Sequence, residues 1–201
     1  MTNTQVQQRT AIGRFMAESP VTVYQGGTLA QQVLSSAPEG MLIAPVWRRI
    51  AAFAIDVIAM SLLLHVLSRF TFLEILISWN YLAEDARYAA SFLMTWALFF
   101  GSLWLYWKYT GRAYGRSLGQ RAFRIAIVHD NGTLLELHHF GPRAFHKLRY
   151  LVPVLGWLFG LRDVLRARSK TAEYRTSIDV SNHTVAAVDW SLPSDTRLNL
   201  K

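Results

Sequence analysis

The chain has no cysteine among its 201 residues, which excludes disulfides and thiolate-held metals and leaves the compartment open. Charge is scarce too, at 17% Asp, Glu, Lys and Arg, against about 25% in ordinary soluble domains. Acids are the rarer sign: 13 stand against 21 Lys plus Arg, a formal net charge of +8. A G-x-G-x-x-G fingerprint, an H-E-x-x-H zinc motif and a G-x-S-x-G nucleophile elbow are all missing. No nucleophile–base–orienter arrangement is visible, so neither an enzyme nor a cofactor is expected. A secretory leader is not expected either, because the first long apolar run begins only near residue 50 and no A-x-A-like site follows it.

What the chain does have is apolar length. Hydrophobic residues make up 52% and the mean hydropathy is +0.18, high for a soluble domain. One stretch organises the rest: Ile50 to Leu67, IAAFAIDVIAMSLLLHVL, preceded by Pro45 and Arg48-Arg49. Its 18 residues can cross a bilayer core of about 30 Å. His65 near its far end reads as an interfacial histidine. A second span, Ala89 to Trp107, carries no charge and ends in Trp104, Tyr106 and Trp107, followed by Lys108, as at a membrane–water interface. Between them, FTFLEILISW is too short to span and is broken by Glu74, so it reads as an interfacial amphipathic helix. A third apolar segment, residues 150–161, contains Pro153, Gly156 and Gly160. We read it as a re-entrant or interfacial helix, with a third span as the alternative.

The basic residues crowd beside these segments. Arg48 and Arg49 precede the first span, and Lys108, Arg112, Arg116, Arg121 and Arg124 follow the second. The intervening 68–88 holds only Arg69 and Arg87 against Glu74, Glu84 and Asp85. The positive-inside bias therefore predicts an inner-membrane, multi-pass protein with a cytoplasmic N-terminus. Its expected partner is the lipid bilayer, and nucleic acid is not expected.

The remaining segments are polar or mixed. Residues 1–45 form a cytoplasmic extension, with a helix expected at Val6–Met16 and a strand at Val21–Tyr24. Residues 46–190 form the membrane domain and 191–201 a polar tail. Arg124–His129, the turn Asp130-Asn131-Gly132 and Thr133–Leu137 predict a cytoplasmic β-hairpin, and Thr184–Val188 is extended. Glycines 111, 115 and 119 recur every four residues in a basic loop suited to anionic headgroups. His138 and His139 are adjacent, so in a helix or a strand their side chains would point apart. With His146 they read as surface or interfacial residues, and no metal site is expected.

Arg49 and Asp56 are seven residues apart, which puts them on one helix face about 10 Å apart along the axis. A carboxylate in a spanning helix costs about 2.5–3.5 kcal/mol and normally faces protein or a water-filled cavity. Two readings stay open. Asp56 either pairs with an arginine of another segment and locks the helices, or it binds a cation or proton.

WRRIAAFAIDVIAM resembles the first-helix signature of the RDD family, membrane proteins named for an arginine and two aspartates. GRSLGQRAFRIAIVHDNG resembles that family's segment G-x-T-L-G-K-R…G-I-R-V-V-D-x-x-G, which follows the second span. The piece from Ile178-Asp179 to Thr184-Val185 is similar to its H-D-x-x-x-x-T-x-V motif. The resemblance, over about residues 46–188, implies Arg49 and Asp56 as signature residues and Asp179 as the second aspartate, with Asp163 as a rival. Ile178, Gln120 and Arg124 stand where the family usually has His, Lys and Gly. It implies a small, mainly α-helical integral membrane protein, for which transport or cation/proton exchange has been suggested. Transport of a small ion or ligand is thus the first expectation, by a homo-oligomer, with Asp56 as the intramembrane site and Arg49 as its charge partner. The alternative is a membrane adaptor or assembly partner in which Arg49, Asp56 and Asp179 are structural locks.

Overall fold

The computed structural model describes residues 40–169 and 174–200. The expected helix at Val6–Met16 and strand at Val21–Tyr24 lie outside the described residues. Helix α1 runs Val46–Leu67, beginning directly after Pro45, whose fixed φ suits a helix start. A short α2, Phe72–Ile77, and a 3-10 turn, Trp79–Leu82, fill the loop where an amphipathic helix was expected. Helix α3 is longer than its apolar core, running Ala86–Tyr114 and ending where Gly115 takes a left-handed φ of 71°. Its buried residues, Phe92, Phe99, Leu103, Trp107 and Gly111, recur at helical spacing and form one stripe. Phe72, Leu76 and Leu64 pack against that stripe.

Both long helices turn apolar side chains outward. Ile58, Leu62, Leu63, Val66 and Leu67 of α1 and Leu93, Met94 and Leu98 of α3 are all exposed. These two helices are long and apolar enough to cross a membrane.

After α3 come α4 (Leu118–Ala122), β1 (Ile125–His129) and α5 (Phe140–Leu148). A 3-10 turn at Arg149–Leu151 leads to α6, Leu155–Arg168. The chain then forms α7 (Ser177–Ser181), β2 (Thr184–Val188) and α8 (Ser194–Leu198). The third apolar segment thus begins as a 3-10 turn, and its helix starts only at Leu155. At 14 residues that helix is about 21 Å long, short of a bilayer core.

The expected hairpin is corrected. Strand β1 pairs antiparallel with β2, Ile125 opposite Val188 and His129 opposite Thr184. The segment Thr133–Leu137 contributes one isolated bridge, Val128 to Leu134, closed by the His129 amide donating to the Thr133 carbonyl at 2.9 Å. Burial decides the pairing: every residue of β2 is buried, so TVAAV satisfies its backbone and packs its side chains where LLEL could not. The other edge of β2 takes residues 42–44, with Ala44 N donating to Ala186 O at 2.7 Å and Val188 N to Leu42 O at 2.9 Å. The segment read as a polar tail also folds back. Leu192 is buried, and the Thr196 hydroxyl donates to the Gly132 carbonyl at 2.8 Å.

Arg124 enters β1 with φ 53°, the left-handed conformation that glycine adopts without penalty. This is the position where the resemblance expects glycine. Its side chain is exposed, so Arg124→Gly removes strain without removing a packed group. Relief of about 1–2 kcal/mol, less the entropy glycine adds to the unfolded chain, predicts a net gain of about 0.5–1 kcal/mol. Thermal melting of the detergent-solubilised protein should rise by roughly 1–4 °C.

Candidate functional site

Asp56 sits on α1, 1% exposed, and receives four hydrogen bonds. Oδ1 accepts from the Tyr106 hydroxyl at 2.8 Å and the Gly119 amide at 2.7 Å. Oδ2 accepts from Trp107 Nε1 at 3.0 Å and the Ser117 hydroxyl at 2.5 Å. A carboxylate has about four lone-pair sites, so Asp56 is saturated by the chain itself. The local sequence explains how. Ser117 caps α4 in a reciprocal box with Gln120, whose Oε1 accepts from the Ser117 amide at 2.9 Å, and this rigid turn presents hydroxyl and amide together. Gly119 allows the approach, since a β-carbon there would lie 2.0 Å from the Ala52 carbonyl oxygen. Arg49 is not the partner of Asp56, which corrects that expectation. The helix face they share delivers them to two different clusters.

Arg49 reaches instead to Asp179 on α7, at 3.2 Å, with its Nε donating to the Ala44 carbonyl at 2.9 Å. The other oxygen of Asp179 takes Arg143 of α5 at 2.5 Å, and Arg143 also donates to the Thr184 hydroxyl of β2. Asp179 is itself the third residue of a capping box, accepting from the Thr176 hydroxyl at 2.8 Å. Burial alone would raise its carboxyl, but the charges of Arg143 and Arg49 and the hydrogen bonds from Arg143 and Thr176 hold it below the usual carboxylate range. Asp163, the rival second aspartate, has its own cluster: Arg149 at 2.7 Å, the Ser177 amide at 3.1 Å, and the Tyr150 hydroxyl. Asp56 and Asp179 thus tie together segments far apart in sequence, while Asp163 fastens its near neighbours.

A cavity of about 550 Å³ lies between α1, β1, α5 and α6. Asp56, Asp163, Asp179, Arg49, Arg143 and Lys147 all line it, set among apolar residues from α1 and α6. From the sequence Lys147 counts only as one of the basic residues after the second span, not as a candidate site residue. It stands 5.1 Å over the Trp107 ring, and burial pushes its ammonium down to about 8, against the charge of Asp56 and with that of Arg143. Its signal was present: four residues after Arg143, it lies on the same helix face. The glycine recurrence also has separate causes. Gly111 lies under Phe140, where a β-carbon would be 2.3 Å from Cδ1, Gly115 ends α3, and Gly119 fits against α1.

Two outward-apolar helices joined to a small ribbon by buried, fully partnered aspartates define a helical membrane domain. The model of the RDD family matches residues 43–170, and this chain belongs to that membrane-associated family. The match takes in Arg49, Asp56 and Asp163 and stops short of Asp179. No curated protein and no solved structure matches the chain.

Asp56→Asn tests the saturation. Whichever way the amide turns, its NH2 faces either Trp107 Nε1 or the Gly119 amide, and neither can accept. One buried donor is lost, for about 1–3 kcal/mol. The expected result is an earlier thermal midpoint in detergent with the helical content kept. An unchanged midpoint would show that the four hydrogen bonds do not hold the fold.

Proposed function

We propose that this protein is a multi-pass inner-membrane adaptor or assembly partner in which Arg49, Asp56 and Asp179 are structural locks. The observation that carries this reading is the saturation of Asp56, whose two oxygens already take four donors from the chain. A cation would have to displace them. Asp179 is likewise engaged on both oxygens by arginines. In this reading the N-terminus, the ribbon and α5 are cytoplasmic, α1 and α3 span, and α6 lies at the interface with its exposed Trp157, Leu158 and Leu161 toward lipid. The protein is not an enzyme.

A second reading, transport of a small ion or ligand by an oligomer, is favoured by the cavity beside Lys147 rather than by Asp56. Asp56→Asn separates the two in cells. The adaptor reading expects lower accumulation of the protein, or loss of a co-purifying membrane protein, with ion-dependent uptake and salt tolerance unchanged. Loss of uptake by an inserted, abundant variant would sink it. Orientation is checked with a reporter active only outside the membrane. Fusion after residue 80 should be active and fusions after 130 and 175 silent, and activity at 130 would reverse the topology.

A further inference from the structure

Four of the chain's six histidines converge at one end of the ribbon. His129 is the last residue of β1, and His183 immediately precedes β2, whose Thr184 is in register with His129. Between them, the Asp130–Gly132 turn and the Val128–Leu134 bridge bring residues 136–139 back alongside β1. There the chain is neither helix nor strand. It turns, with the His139 amide donating to the Glu136 carbonyl at 3.1 Å. Adjacent histidines therefore do not splay apart. The His138 and His139 rings lie 4.0 Å apart at 35°, and His129 meets His139 edge-on at 5.2 Å. Glu136 Oε2 is 3.2 Å from His138 Nδ1.

We propose that Glu136, His138 and His139 bind a divalent transition-metal ion of the zinc class, with His129 as a fourth ligand in reach. One ligand atom from each of the three already lies within 4.8 Å of the others. Zinc bonds of about 2.0–2.2 Å in a tetrahedron need separations of about 3.4 Å. The remaining ångström or so is within side-chain rotation, because Glu136 and His138 are each 70% exposed and free to turn. Two imidazoles and a carboxylate suit zinc, cobalt or nickel and are poor for magnesium or calcium. A bound ion would fasten the turn to the end of β1, one residue before α5 begins.

The test uses the full chain, purified in detergent without a polyhistidine tag and titrated with Zn2+ against a chromophoric chelator. One ion per chain is expected, with affinity falling at least ten-fold in His138→Ala and in His139→Ala. His65→Ala and His146→Ala should bind as the parent does. Co2+ should give visible ligand-field bands that the His138→Ala variant loses. Because His138 is exposed, its removal leaves the fold intact, so a variant that melts normally and still binds Zn2+ as tightly as the parent overturns the proposal. So does a parent chain that binds no Zn2+.

Discussion

A carboxylate inside an apolar helix must be given hydrogen-bond donors, and α1 has none to give. Its neighbours on that helix are Ile55 and Val57, and every backbone amide there is committed to the helix. The donors for Asp56 have to come from elsewhere, and they come from 50 to 63 residues further on. That need dictates the rest. It requires α3 to bring Tyr106 and Trp107, at the end of its apolar core, against α1. It requires the chain to turn at Gly115 and return through Ser117, and it requires glycine at 119 because the returning backbone touches Ala52.

Asp179 solves the same problem differently. Asp56 is hydrogen-bonded by dipoles, two hydroxyls, an indole and an amide, and makes no ion pair among the described residues. Asp179 takes two guanidinium groups, from α1 and α5, and its helix cap besides. Removing Asp179 would leave two guanidinium charges there uncompensated, a much larger penalty than losing a neutral donor. The three aspartates thus form a graded set of fastenings around one cavity.

The two long apolar helices were legible because their signal is local: 18 or more apolar residues leave little choice of structure. Asp56 was legible as chemistry that an apolar segment does not carry by chance, whereas Asp179, in a polar segment, was picked out only by its resemblance to the family's motif. Their partners were not legible. The heptad spacing of Arg49 and Asp56 suggested a pair, but helix spacing fixes only a shared face and says nothing of what arrives from 130 residues away. The hairpin failed for a related reason. Asp130-Asn131-Gly132 is a strong turn signal, and it does form the turn. Strand partners, however, are chosen by burial, and the fully buried β2 outcompetes the adjacent segment. Adjacent histidines misled because alternation rules hold for helices and strands and lapse in a tight turn.

The sequence distances in these fastenings also set an order in time. At roughly 5–20 residues per second of synthesis, the donors for Asp56 emerge within seconds of α1. Arg49 waits for Asp179, 130 residues later, and for β2 to close on residues 42–44 just upstream of it. The helix hairpin can therefore set before the ribbon exists. A chain cut short between Gly119 and Asp179 would keep its first fastening and expose Arg49 without its carboxylate, a chemical mark that distinguishes an unfinished molecule from a finished one.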